Sequence, residues 1–156
     1  MQPLDEEILK AARDLPGVAV LVVFGSRAKG DHRLDSDLDV AVLPDTADSR
    51  ARRHLQADLA VALAHLTSEG RVDVILLDEA PEVLRQRIME TGRVLLNRAP
   101  EAWKELRIRT MREYGDSEGY RRLYRESQRR RLEGREPSGR SAKAIESLKR
   151  VGKLPH

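Results

Sequence analysis

The chain has 156 residues, with 29 Lys and Arg against 26 Asp and Glu, no Cys, and an aromatic complement of only one Trp, three Tyr and one Phe. A soluble domain runs to about 100–150 residues, so there is room for one ordinary domain and an extension, but not for a catalytic domain beside a full-sized substrate domain. The lack of Cys excludes a disulfide framework, a thiolate metal site and a Cys nucleophile, and no apolar stretch approaches the roughly 20 residues of a membrane span. The N-terminal residues MQPLDEEILK are acidic and carry no signal-peptide core, so the expected location is the cytoplasm.

In chain order, residues 6–15 place Ile8, Ala11, Ala12 and Leu15 at helical spacing and stop at Pro16-Gly17, as a helix does. Val18–Phe24 is a continuous run rich in β-branched residues, which predicts a buried strand ending at Gly25. Residues 38–43 predict a second strand, closed by Pro44-Asp45. Residues 49–67 put Leu55, Leu59, Ala62, Leu63 and Leu66 on one helical face, with Arg50, Arg52, Arg53 and Asp58 largely off it. A third strand is expected over 72–77, a short helix with Val83, Leu84 and Ile88 over 81–91, and a fourth strand over 94–96. The order helix, strand, strand, helix, strand, helix, strand predicts an α/β (α+β) fold with one small mixed sheet.

Beyond Arg98 the pattern is helical only. Trp103, Leu106, Thr110, Met111 and Tyr114 follow three-to-four spacing, and Tyr120, Leu123 and Tyr124 suggest a second basic helix. From Gly134 the composition shifts to Gly, Pro, Ser and Arg, which reads as a linker before a short terminal helix over 140–150. The expected organisation is a body over 1–97, a basic helical extension over 98–133, and a linker with terminal helix over 134–156. Charge divides along the same line. Residues 1–97 hold 12 Lys and Arg against 17 Asp and Glu, a balance of −5, and residues 98–156 hold 17 against 9, a balance of +8. An acidic body suits a divalent-cation site, and a basic extension suits an acidic partner.

The stretch FGSRAKGDHRLDSDLDVAV over 24–42 carries the chemistry. Gly25 lets the backbone turn sharply out of the first strand and lets a phosphate approach the amides. Ser26 adds a hydroxyl and a main-chain N–H at the start of an expected helical turn, where anions are favoured. Because side chains alternate along a strand, Asp37 and Asp39 share a face while Leu38 points into the core, with the carboxylates about 7 Å apart. Such a pair can share one or two Mg²⁺ ions. Asp73 is the single acid in the apolar run of the third strand, where burial is costly unless the group is paired or metal-bound, so it is the natural third ligand. Arg27 and Lys29 stand where phosphate-neutralising cations are useful. Gly30 allows the loop to turn, Ser36 caps the second strand or touches phosphate, and His32 lies in the same loop. The four His residues have no metal-ligand spacing.

This arrangement resembles the nucleotidyltransferase fold shared with DNA polymerase β. More closely, residues 24–42 with the downstream RVDVILLDEAPEVLRQRIMETGRVLLNR resemble the minimal nucleotidyltransferases, or MNT proteins, over about residues 5–115. The resemblance implies an antitoxin that transfers AMP from ATP to a tyrosine of a HEPN-domain toxin, with the nucleotidyltransferase domain in residues 1–97. It further implies that Ser26 and the amides around Gly25 hold the triphosphate with Arg27 and Lys29, that Asp37 and Asp39 bind both Mg²⁺ ions, and that Asp73 completes one metal site nearest the attacking hydroxyl. Two other readings stand beside it. One is nucleotidyl transfer to a small hydroxylated molecule or an RNA end, against which the shortness of the chain argues; the other is a toxin-binding module without catalysis, against which the three acids argue. The Tyr and Arg residues of the extension suit RNA, but an amphipathic helix packing on a toxin or a second subunit explains them with fewer assumptions. Oligomeric state is not legible.

Overall fold

A computed structural model describes residues 2–26 and 37–133, with residues 146 and 150. The chain forms two compact units, Met1–Thr110 and Met111–His156.

The first unit is built on a four-stranded sheet. Its elements are α1 (Pro3–Arg13), β1 (Val18–Phe24), β2 (Leu38–Pro44), α2 (Ser49–Leu63) followed by a 3₁₀ turn at Ala64–Leu66, β3 (Val72–Leu76), α3 (Glu82–Thr91), β4 (Arg93–Asn97) and the start of α4 (Pro100–Leu132). In space the strands run β3-β2-β1-β4. β1 pairs antiparallel with β2 and with β4, whereas β2 and β3 are parallel. A parallel pair requires a crossover, which α2 supplies. Its start is fixed by Asp48, whose side chain accepts a hydrogen bond from the Ala51 N–H at 2.7 Å, a standard N-cap contact.

Alternation along the central strands sorts the core into two layers. Leu21 and Val23 of β1 with Leu38, Val40 and Val42 of β2 pack with Ile8 and Ala12 of α1 and Leu55, Leu59 and Leu63 of α2. The opposite residues, Val20, Val22, Ala41 and Leu43, pack with Ile88 of α3, Leu106 of α4 and the partly buried Trp103. The sheet is therefore covered on both faces, which is why β1 and β2 read as continuous apolar runs. Met111, at the same helical spacing as Trp103 and Leu106, is 62% exposed.

Charged side chains tie the layers together at points the periodicity did not single out. Asp5 in the first turn of α1 is buried and accepts from Arg93 Nε at 3.2 Å and Nη2 at 2.7 Å, joining α1 to β4. Arg52 belongs, by helical spacing, off the apolar face of α2, yet it is buried against the turn after β3. It donates to Asp78 Oδ1 at 2.5 Å, to Glu79 Oε1 at 3.0 Å and to the Thr46 carbonyl at 3.1 Å. The Asp78 hydrogen bond holds this guanidinium above its ordinary pKa despite burial, so Arg52 stays charged.

The second unit begins within α4, which runs unbroken from Pro100 to Leu132. The expectation of two helices is thus corrected to one. Gly115 and Gly119 lower helix propensity, but neither is a required break: their Cα atoms face open space. Local pairs span the weak region. Glu118 takes Arg121 at 2.6 Å and Arg125 at 2.9 Å, and the Arg121 guanidinium lies 3.6 Å from the Tyr114 ring centroid. Among the described residues no helix is long and apolar enough to cross a membrane.

Two outcomes follow from these contacts. Arg93→Ala removes the guanidinium from the buried Asp5 carboxylate, which keeps the Gln2 N–H at 3.3 Å, and breaking a buried pair from one side costs about 3–5 kcal/mol; urea unfolding should show a loss near the lower end, largely recovered in Asp5→Leu/Arg93→Met. In α4 the Arg121 hydrogen bond lowers the pKa of Glu118. A depressed carboxyl pKa contributes stability above the unfolded value and loses it as pH falls through the folded value, so helical carbonyl shifts of Gly115 and Gly119 should decay below about pH 4. Glu118→Gln should show that decay already at pH 7.

Candidate active site

The end of β1 and the starts of β2 and β3 meet at one end of the sheet, because β1 runs antiparallel to β2 while β3 runs parallel to it. Register then sets which residues are neighbours. Phe24 pairs with Asp39 across β1 and β2, and Asp39 pairs with Asp73 across β2 and β3. Paired residues on adjacent strands present side chains to the same face, and strands are about 4.8 Å apart. Ala41, Leu43 and Ile75, which share that face, belong to the α3 layer. Asp39 and Asp73 thus stand side by side at the open end of the α3 face, and Asp37, two residues before Asp39, lies on it as well.

Gly25 adopts φ +77, a conformation that side chains other than glycine rarely take. It also approaches β2 so closely that a Cβ there would fall on Asp39 Oδ2 and lie 2.9 Å from Asp39 Cγ. The glycine therefore turns the chain out of β1 and leaves the space the Asp39 carboxylate fills. Ser26 follows at an exposed position in the turn. Arg27, Lys29, Gly30, His32 and Ser36 lie outside the described residues.

The acids differ in surroundings. Asp39 is partly buried, while Asp37 and Asp73 are exposed. Asp73 departs from the expectation of a buried acid: β3 is an edge strand, and only Val74 and Leu76 of that strand are buried. What associates Asp73 with the other acids is its register with Asp39 rather than a burial cost. Asp37 Oδ1 lies 2.7 Å from Arg71 Nε, a neighbour not picked out from the sequence; the signal available for it was its position two residues before Asp73.

Among the described residues no three His, Asp or Glu side chains are gathered tightly enough to enclose a metal ion. An open row of hard carboxylate oxygens nonetheless fits Mg²⁺, which keeps several waters and is bound through one or two carboxylates together with substrate phosphates rather than by an all-protein cage. Gly25 and the exposed Ser26 follow β1 at the same end of the sheet as the acids.

A family model described as polymerase beta, nucleotidyltransferase matches residues 6–101. Protein adenylyltransferase MntA of Shewanella oneidensis is 39% identical over 98 residues, covering 61% of this chain and 67% of that protein. A chain in the crystal structure of a toxin-antitoxin with AMP-PNP is 31% identical with a TM-score of 0.60, over 78% of this chain and 95% of the other. A chain in the complex of tri-AMPylated Shewanella oneidensis HEPN toxin with MNT antitoxin is 29% identical with a TM-score of 0.55, over 79% and 93%.

The packing of Gly25 on Asp39 makes the two positions interdependent. Gly25→Ala should cost about 1–2 kcal/mol for its backbone conformation and more for the clash. In an Asp39→Ala background the clash is relieved, and the double-mutant cycle from urea melts should give a coupling of about 0.5–3 kcal/mol.

Proposed function

The chain belongs to the polymerase beta nucleotidyltransferase family, to the side of it that includes the minimal nucleotidyltransferases, and from that premise we propose that it is an antitoxin transferring AMP from ATP to a tyrosine of a HEPN-domain toxin. The observation that carries the chemistry is the register of Asp39 with Asp73 beside the Gly25 turn. The likeness to MntA and to chains of toxin-antitoxin complexes supports the toxin as the acceptor. The reading places the protein in the cytoplasm, where ATP is available.

Asp37, Asp39 and Asp73 are the residues that would hold Mg²⁺, with two ions the expected complement. Bound there, Mg²⁺ supplies charge neutralisation to the triphosphate and makes a hydroxyl a better nucleophile. Ser26 donates its hydroxyl and main-chain N–H to phosphate oxygens, and Arg27 and Lys29 add positive charge to the same group. Asp73, exposed on the edge strand, is accessible to an incoming tyrosine. The tyrosine oxygen forms a bond to the α-phosphorus as its proton passes to solvent, the bond from that phosphorus to the oxygen bridging to the β-phosphate breaks, and pyrophosphate leaves. No side chain of this protein needs to form a covalent bond, so the residues act by position and charge. In this organisation residues 1–97 are the nucleotidyltransferase domain and residues 98–133 a basic extension that meets the toxin; the linker and terminal helix expected over 134–156 fall, but for residues 146 and 150, outside the described residues.

The test is incubation with ATP labelled at the α-phosphorus, Mg²⁺ and the protein encoded by the neighbouring gene, which the proposal expects to be a HEPN-domain toxin. Label should appear on a toxin tyrosine, vanish with a chelator, and be lost in Asp39→Ala and Asp73→Ala while their melting temperatures hold or rise, since removing a clustered carboxylate relieves repulsion. Ser26→Ala should raise KM for ATP more than it lowers kcat. Label on RNA or a small hydroxylated molecule instead of the toxin would establish one alternative, and full neutralisation of the toxin by Asp39→Ala protein would establish a contact-only antitoxin.

A further inference from the structure

Just before the Leu38–Val72 pair that opens the β2–β3 ladder, Asp37 meets Arg71. The Leu38 N–H donates to the Arg71 carbonyl at 3.2 Å, so the backbone at the start of β2 is fixed to the residue just before β3. The Arg71 side chain then bridges two acids, with Nε 2.7 Å from Asp37 Oδ1 and Nη2 3.0 Å from Glu69 Oε2. One end of the α3 face thus carries three carboxylates in two rows and one guanidinium, which grips the outermost of the three.

We propose that Arg71 is a positioning residue that competes with the divalent cation for Asp37 and exchanges this contact for the triphosphate, so that cation loading depends on nucleotide. The proposal rests on the assignment of Asp37, Asp39 and Asp73 to the cation site. Three features support it. The side chains of Arg71, Asp37 and Glu69 are 57%, 54% and 59% exposed, and ion pairs this open to water add little net stability, so the Arg71–Asp37 contact is displaced at small cost. A cation held by Asp37 would sit within a few ångströms of the guanidinium and be repelled by it. A triphosphate brings several negative charges, and guanidinium groups bind phosphate oxygens as well as they bind carboxylates. Arg71 therefore opposes the cation in the nucleotide-free protein and favours the nucleotide once it arrives. A residue that only oriented Asp37 for the metal would have the opposite first effect, because its removal would weaken cation binding.

The measurement is binding of Mn²⁺, as a probe of the cation site, to the full nucleotide-free chain at low ionic strength, followed by the electron paramagnetic resonance signal of free Mn²⁺. Arg71→Gln should bind Mn²⁺ about three- to tenfold tighter than wild type, the size expected for removing one exposed charge near a divalent ion. Arg71→Lys, which keeps the charge, should stay within about twofold of wild type. In transfer assays Arg71→Gln should raise KM for ATP with a smaller change in kcat. Equal or weaker Mn²⁺ binding by Arg71→Gln overturns the proposal while leaving the cation site standing. Asp39→Asn separates the two ideas: it should weaken Mn²⁺ binding, and Mn²⁺ binding unaffected by it would overturn the cation-site assignment and the role of Arg71 with it.

Discussion

Parallel pairing of β2 with β3, in a sheet whose other contacts are antiparallel, is the constraint from which the candidate site follows. Antiparallel neighbours can be joined by a tight turn, but a parallel neighbour needs the chain to be carried back across a face of the sheet. The helix that does this, α2, buries Leu55, Leu59 and Leu63 on the way and delivers β3 with its first residues beside those of β2. Asp39 with Asp73, and Asp37 with Arg71, are consequences of that delivery. A slip of one residue would turn Asp73 to the other face and leave the acids of β2 without their neighbour.

The two apolar layers hold this register in place. Residues of β1 and β2 alternate between a layer under α1 and α2 and a layer under α3 and the start of α4, so a shifted strand would expose one set and bury the acids. The polar ties act at the margins of these layers. Arg52 fixes α2 to the turn that follows β3 through Asp78 and Glu79, and Arg93 fixes β4 to α1 through Asp5. Buried pairs are not strong sources of net stability; here they select which surfaces meet.

Much of this was legible in the sequence because its signals are local. The β-branched run at Val18–Phe24, the Pro-Gly stop after α1 and the alternation around Leu38 each depend on neighbouring residues, and the element order helix-strand-strand-helix-strand-helix-strand follows from such signals. The same holds for Gly25, whose position at a strand end announces a turn. The packing of Asp39 into the space that Gly25 leaves was not legible, since it requires knowing that the two residues face each other. Burial of Asp5 and Arg52 was missed for a related reason: helical spacing ranks a charge by its angle around its own helix, and a partner 88 or 26 residues away in sequence does not enter that ranking. The exposure of Asp73 depends on β3 being an edge strand, which the order of the sheet decides. The continuity of α4 past Gly115 and Gly119 depends on the Glu118 contacts with Arg121 and Arg125, against a propensity that favours a break.

The tie between α1 and β4 also bears on synthesis of the chain. Asp5 and Arg93 are 88 residues apart, and a ribosome adding about 5–20 residues per second needs roughly 4–18 s to pass from one to the other. Throughout that interval Asp5 has no guanidinium to meet, the edge of β1 that β4 will occupy is open, and Ile8 and Ala12 have only part of their cover. Made before every strand of the sheet, α1 is therefore among the last elements to be secured, and the nascent body is most exposed to chaperones and proteases until its fourth strand arrives.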